Sequence, residues 1–421
     1  MERKERSLLG SCKTPLGCSI SQFFTFARKY SSQSWEPYEQ IALVKATVPV
    51  LREHGVALTS HFYKRMLSHN PELMQVFNQG HQRAGAQQQA LAGAVLAYAE
   101  NIENLGVLLN AVKHIANKHV SVGIRAEHYP IVGKHLLASI REVLGEAATP
   151  ELIDAWATAY GQLANVLIDA EKALYDKHAN EEGGWSGWRF FKVEEKKPET
   201  DEVTSFTLVP VDHGKMPKVK AGQYVSVRVY VKKENLIQPR QYTVTDATKH
   251  SLRISVKKIV AEGNSPAGMV SNALHQDINQ GDLVEVSFPT GEFNVPEGNN
   301  PLCLISAGIG ITPMLAMLKE AIAHNPQRQV TFVHICKEEK DYPLFDEVEA
   351  LSKSGSVELV TCVTSKSGRP DEAFFTSLVK PNTEYLVCGP VGFMKDATQA
   401  LERANVAKEH IFTEKFGTGA L

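Results

Sequence analysis

The chain has 421 residues, 43% of them hydrophobic and 22% charged, and a formal net charge of -2. That length exceeds one ordinary hydrophobic core, so two or three domains are expected. The near balance of charge gives no global attraction to nucleic acid or anionic lipid, and no apolar run is long enough to span a bilayer. The six cysteines are scattered and form no C-x-x-C pair, which fits a reducing compartment and argues against zinc sites and a disulfide scaffold.

Residues 1–34 stand apart, with six Lys/Arg, two Glu and several Ser. Basic and free of acid after Glu5, the segment has the character of a mitochondrial presequence, and "RKYSS" (28–32) resembles a matrix-protease site. A tail without an address is the other reading. The mitochondrial matrix and the cytoplasm therefore both stand as locations.

Residues 35–179 have a helical apolar period and read as an all-α domain. "HQRAGAQQQALAGAVLAYAENIENL" puts Leu91, Val95, Tyr98, Ile102 and Leu105 on one stripe. "PELIDAWATAYGQLANVLIDAEKALY" opens on Pro150 and runs through Leu152, Trp156, Ala159, Leu163, Leu167 and Leu174. Several polar residues share these inward faces. His119 lies four residues after Ile115, whereas His114 falls toward the polar side, His128 precedes a helix start and His135 is ambiguous. Tyr129 precedes Val132 and Leu136, Glu171 sits between Leu167 and Leu174, and Gln87 comes four before Leu91. Tyr63 is seven after Val56 and four before Leu67. A buried carboxylate needs a partner, and a His, a Tyr and a Glu facing one core suggest a chain that orients a metal-bound imidazole.

After the Gly-rich linker "NEEGGWSG" (180–187) the period switches from helix to strand, and residues 185–296 read as an antiparallel β-barrel. Val225, Val227, Val229 and Val231 alternate, as do Leu252, Ile254 and Val256. "RQYT" (240–243) resembles the flavin motif of the ferredoxin-reductase superfamily. Arg240 and Tyr242 share one side of an extended segment, so a phosphate contact and a ring stack can serve one ligand, with Gln241 and Thr243 beside them and Tyr224 as a second ring contact. "PAGMVSNAL" places Gly268, Met269, Val270 and Ser271 at a helix start, where free amides favour pyrophosphate. FAD is the implied cofactor.

Residues 300–421 read as an α/β Rossmann-like lobe. "SAGIGITPM" offers Gly308 and Gly310 for close backbone approach and Thr312-Pro313 to open the helix, and it resembles the nicotinamide lobe of the same superfamily. "YLVCGPVGFM" supplies its second signature, with Cys388, Gly389 and Pro390 beside the nicotinamide. In "TEKFG", Phe416 stands where that superfamily stacks an aromatic near the flavin.

In their order, these segments, with "FYKRML", "NPELMQVF", "KHVSVGI" and "AWATAYGQLANV", resemble the flavohaemoglobins over nearly all of residues 35–421. The resemblance implies a globin followed by FAD and nicotinamide domains. It matches His119 to the proximal haem-iron ligand, Tyr129 and Glu171 to its relay, Tyr63 and Gln87 to the distal pair, Leu91 to the apolar distal residue, Phe77 to an aromatic wedge on the haem, and Lys118 to a lysine near the haem edge. The implied cofactors are haem b, FAD and NAD(P)H; the implied activity is nitric oxide dioxygenation, with O₂ and nitric oxide as small-molecule partners. An oxygen or nitric oxide sensor or carrier kept ferrous by its reductase is the alternative. NADH and NADPH are equally open, and a monomer is the working expectation.

Overall fold

The computed structural model describes residues 38–263, 266–353 and 356–416. The presequence-like segment 1–34, with Cys12 and Cys18, lies outside them. No described helix is long and apolar enough to cross a membrane.

The first domain is helical: α1 (Tyr38–Ala46), α2 (Val48–His69), α3 (Gln79–Arg83), α4 (Ala86–Glu100), α5 (Leu109–Val122), α6 (His128–Leu144) and α7 (Pro150–Asn180). Caps set several of these starts. Asn78 accepts the amide of His81 at 3.1 Å to open α3, and Thr149 accepts that of Leu152 at 3.3 Å ahead of Pro150 to open α7. The stripe expected to run from Leu91 to Leu105 is shorter, because α4 ends at Glu100 and only the chain beyond it carries Ile102 into the core. Upstream, Gly85 at φ 74 breaks the helical run and separates α3 from α4. Val56, expected to share a buried face with Tyr63, is 47% exposed, while Thr59, Phe62, Tyr63 and Met66 are buried. Periodicity defines a face, but what covers that face changes along a helix of 22 residues.

A closed antiparallel barrel follows, built from β1 (Trp188–Pro198), β2 (Val203–Pro210), β3 (Tyr224–Val231), β4 (Leu236–Ala247), β5 (Leu252–Lys257) and β6 (Leu283–Ser287) in the order β1-β2-β5-β4-β3-β6, with α8 (Met269–Gln276) before β6. Val225, Val227, Val229, Leu252, Ile254 and Val256 fill its interior, as their alternation requires. The last domain is a five-stranded parallel sheet of β7 (Leu302–Ala307), β8 (Val330–Cys336), β9 (Val357–Val363), β10 (Glu384–Cys388) and β11 (Ile411–Glu414), ordered β11-β10-β7-β8-β9. Helices α9 (Ile311–His324) and α10 (Phe345–Ser352) pack on one face, and the later α11 (Thr364–Ser367), α12 (Glu372–Ser377) and α13 (Val391–Arg403) come after β9 and β10. The chain leaves β7 in one direction toward β8 and later returns on its other side as β10. Ligands of open α/β sheets bind at the crevice this reversal makes.

Candidate functional site

Three helices bring His119, Tyr129 and Glu171 together. His119 Nδ1 lies 2.7 Å from Glu171 Oε1 and 3.2 Å from the Tyr129 hydroxyl, which donates to the same carboxylate oxygen at 2.5 Å. A carboxylate only accepts, so Nδ1 carries the proton and Nε2 keeps its lone pair. Glu171 is 2% exposed, whereas a third of the His119 side chain is accessible. Burial, reinforced by the Glu171 charge and hydrogen bond, pushes the Tyr129 pKa far up and keeps it a neutral donor. The Tyr160 hydroxyl donates to the Tyr129 carbonyl at 2.6 Å and steadies the start of α6. The other histidines are accounted for differently. His114 is exposed, His128 Nδ1 accepts the Arg125 amide at 2.9 Å, and His135 is buried between Arg65 and Asn70.

Tyr63 and Phe77 meet edge to face with ring centroids 5.7 Å apart, and Leu91 packs on the same cluster. Burial drives the Tyr63 pKa well up, so its hydroxyl is a neutral donor. That hydroxyl has no hydrogen-bond partner among the described residues. The Gln87 carbonyl oxygen accepts from Gln82 Nε2 at 2.6 Å. The helical domain has two apolar clusters rather than one. One holds Tyr63, Phe77 and Leu91, the other Val112, Ile124, Tyr129 and Leu167, and Tyr160 and Leu163 border both. A domain of this size ordinarily builds a single contiguous core. A division of this kind, with a free imidazole nitrogen beside it and a free phenol in the other cluster, fits a flat apolar macrocycle with iron at its centre.

The flavin motif lies on β4 and reaches the helical domain. Arg240 is held by the Pro239 carbonyl at 2.6 Å, and no carboxylate pairs with it among the described residues. Burial pulls its pKa down to about 10, with Tyr242 opposing. A cation so placed fits a phosphate. Gln241 binds Ser226 through its amide nitrogen at 2.9 Å, and its oxygen accepts from Lys118 Nζ at 2.5 Å. Lys118, expected at the haem edge, thus ties α5 to the flavin strand. Thr243 is buried opposite Tyr224, and burial pushes the Tyr224 pKa far up. Gly268 caps α8, with Ser271 in its first turn. Met269 and Val270 pack into the barrel core, so there only their amides are available to a ligand.

Sequence reasoning missed Glu414, in the last strand. Burial pushes its pKa up to about 7 against the pull of Lys118. Burial also lowers Lys118 to about 8, with Glu414 pulling the other way and Arg240 adding to the fall. The acid of "TEKFG" was the available signal. Asn117 and Thr290, joined at 2.5 Å, and Gln238, which takes the Gln79 amide at 3.1 Å, were also missed as links between the two domains.

In the third domain, a Cβ on Gly310 would collide with the Cys388 carbonyl, so only glycine lets the turn after β7 sit against the end of β10. Gly308 and Gly310 form that turn, and Gly389 and Pro390 lead into α13. Thr312 is 2% exposed and donates to the Ile309 carbonyl at 3.0 Å, while Pro313 is buried in α9; both build the turn. The Cys388 side chain is fully buried and burial pushes its thiol pKa far up, so its backbone, rather than its sulfur, faces the turn. Phe416, expected near the flavin, is 43% exposed and makes no ring contact among the described residues.

Three family models match in the order of the domains: Globin over residues 60–167, Oxidoreductase FAD-binding domain over 191–295 and Oxidoreductase NAD-binding domain over 304–399. A flavohemoprotein of Bordetella pertussis is 53% identical over 397 residues, covering 90% of this chain and 98% of that protein. The chain belongs to the flavohaemoglobin family. By family the helical domain is a haem globin, and the two domains after it bind FAD and a nicotinamide dinucleotide. A flavohemoprotein of Chromobacterium violaceum is 48% identical over 90% of this chain and 97% of its own. The crystal structure of a flavohemoglobin from Malassezia yamatoensis with bound FAD and heme aligns at a TM-score of 0.81 and 31% identity, covering 90% of this chain and 99% of that one. The FAD/NAD-binding domain of a nitric oxide dioxygenase from Vibrio cholerae aligns at 0.50 and 32% identity over 54% of this chain and 98% of that one.

Proposed function

We propose that the chain is a nitric oxide dioxygenase, converting nitric oxide and O₂ to nitrate with electrons drawn from NAD(P)H. When bound, nicotinamide supplies hydride, flavin divides it into single electrons, and haem iron accepts these and binds O₂. The protein's own residues set the charge and hydrogen bonding around these groups. The observation that carries this reading is the contact of His119 Nδ1 with a buried carboxylate, Glu171, at 2.7 Å. A reversible carrier has no need of such a partner. A carboxylate behind the ring makes Nε2 more basic and favours electron donation toward the iron side. Tyr63, held neutral by burial, and Gln87, whose carbonyl is already engaged, are both suited to donate hydrogen bonds to negative charge that develops in the pocket. Lys118 and Gln241 bridge the haem-ligand helix and the flavin strand, holding the two redox domains in contact. The likeness to the reductase portion of a nitric oxide dioxygenase adds support.

The test is steady-state nitric oxide consumption by the holoprotein with NADH and with NADPH. Nitrate formed at one per nitric oxide consumed, at a rate tied to nicotinamide oxidation, is the expected result. Consumption no faster than that of free FAD with the same nicotinamide would leave the sensor or carrier reading in its place.

A further inference from the structure

We infer that a chain of three glutamine side chains sets the polarity of the Gln87 amide, turning its N–H group toward the pocket, and that Gln82 and Gln88 are positioning residues for that donor. The inference rests on the reading of Gln87 as a pocket residue and deepens it.

The polarity has a fixed anchor. Gln88 Nε2 lies 3.1 Å from the backbone carbonyl oxygen of Gln82, which can only accept. The Gln88 amide therefore presents nitrogen there, not oxygen. The same nitrogen lies 3.0 Å from the side chain of Gln82, so the Gln82 atom facing it is the acceptor, Oε1. The other atom of that amide is then Nε2, which donates to Gln87 Oε1 at 2.6 Å. This consumes the Gln87 carbonyl and leaves its N–H group as the group not engaged by the chain. Turning any one of the three amides sets oxygen against oxygen or N–H against N–H, so the orientations switch together or not at all.

The backbone makes the chain possible. Gln82 lies in α3 and Gln87 and Gln88 in α4, and the left-handed turn at Gly85, φ 74, folds residue 82 back beside them. The Gln88 backbone carbonyl accepts from the Thr59 hydroxyl at 2.8 Å. Thr59 is 1% exposed and lies one helical turn before Tyr63 on α2, so the helix that carries the phenol also braces the backbone of α4 from which Gln87 and Gln88 project. No member of the chain titrates, so the donor persists through the neutral pH range, unlike one supplied by histidine.

The test uses holoprotein variants of normal haem content and two readouts other than turnover: the CO stretching band of the ferrous complex and fluoride affinity of the ferric form, both of which sense a hydrogen-bond donor at the ligand. A carboxylate only accepts, so Gln82→Glu should rotate Gln87 and point its carbonyl at the ligand. Fluoride affinity should fall roughly tenfold, the loss of about one hydrogen bond, and the CO band should move to higher frequency. Because Gln82 acts through Gln87, Gln82→Glu combined with Gln87→Leu should match Gln87→Leu alone. Gln88→Leu adds no charge but removes the anchor, and should split the CO band into two as both orientations become populated. If Gln87→Leu moves both readouts while Gln82→Glu and Gln88→Leu leave them at wild-type values, or if the double variant is additive, the relay is wrong although Gln87 is correctly placed. If Gln87→Leu itself moves neither readout, Gln87 is not a pocket residue and the relay falls with it. Neither failure touches the nitric oxide stoichiometry, which tests the proposed activity separately.

Discussion

Around His119 the buried polar groups end in a carboxylate, whereas around Tyr63 they are a phenol and three amides. In the first cluster Glu171 accepts from both His119 and Tyr129, and charge is the essential feature. In the second, burial keeps Tyr63 neutral and Gln82, Gln87 and Gln88 pass only dipole orientation. The difference reflects what each side is asked to do. Electron density is pushed through an imidazole by a fixed negative charge behind it. Negative charge that appears during a reaction is best met by donors already oriented, which need no charge of their own and would suffer from one.

The largest effect should come from His119→Ala. The variant should lose the five-coordinate ferrous spectrum, and a retained spectrum would shift the ligand to another residue, His114 or His128. Next is Glu171→Gln, which keeps a hydrogen-bond acceptor and removes the charge. Nitric oxide turnover should fall by roughly 10–100-fold and the haem reduction potential should rise. An unchanged potential would mean that geometry, not charge, is what the first cluster supplies. Tyr63→Phe is the matching change on the other side. It should speed O₂ dissociation from ferrous haem roughly tenfold, about one hydrogen bond, while the potential stays near its original value. An unchanged off-rate would remove Tyr63 from the ligand's surroundings.

The smallest effect on either cluster is expected from Glu347, at the contact between barrel and nicotinamide lobe. Burial by itself would raise its pKa, but hydrogen bonds from Arg253 and Lys319 outweigh burial and hold it at about 2, below its ordinary 4.5. A carboxyl depressed on folding stabilises the protein above its unfolded pKa, and this contribution is lost as pH falls from about 4.5 toward 2. Glu347→Gln should therefore be less stable than the parent in urea at neutral pH, with the gap closing through that acid window and the haem spectra unmoved. A gap that persists at the acid end would show that lost packing, not lost charge, causes the difference.

Much of the architecture was legible along the chain. The change of period after residue 187 separates helices from strands because a helix and a strand bury different spacings of side chains, and the strand alternation at Val225, Val227 and Val229 is met by the barrel interior. His119, Tyr129 and Glu171 were legible as polar residues on apolar faces, because burying such groups without partners is too costly to be accidental. Three features were not. Gly85 interrupts a run that reads as one helix, and only its left-handed backbone brings Gln82 beside Gln87. Glu414 looks like any exposed acid near a terminus until the last strand carries it into a buried setting where the charge of Lys118 acts on it. Cys388 reads as a residue beside the nicotinamide, and only the packing shows that its thiol is buried while its backbone meets the turn after β7.

The sequence by itself determined the order of the domains, the faces to be buried and the residue types that could hold iron, flavin and nicotinamide, since these depend on spacing and side-chain chemistry within short stretches. Only the tertiary structure decided which nitrogen of His119 is engaged, which way the Gln87 amide points and that Lys118 reaches the flavin strand. Hydrogen-bond polarity and burial are properties of neighbours in space, and for His119 and Lys118 those neighbours come from helices and strands far away along the chain.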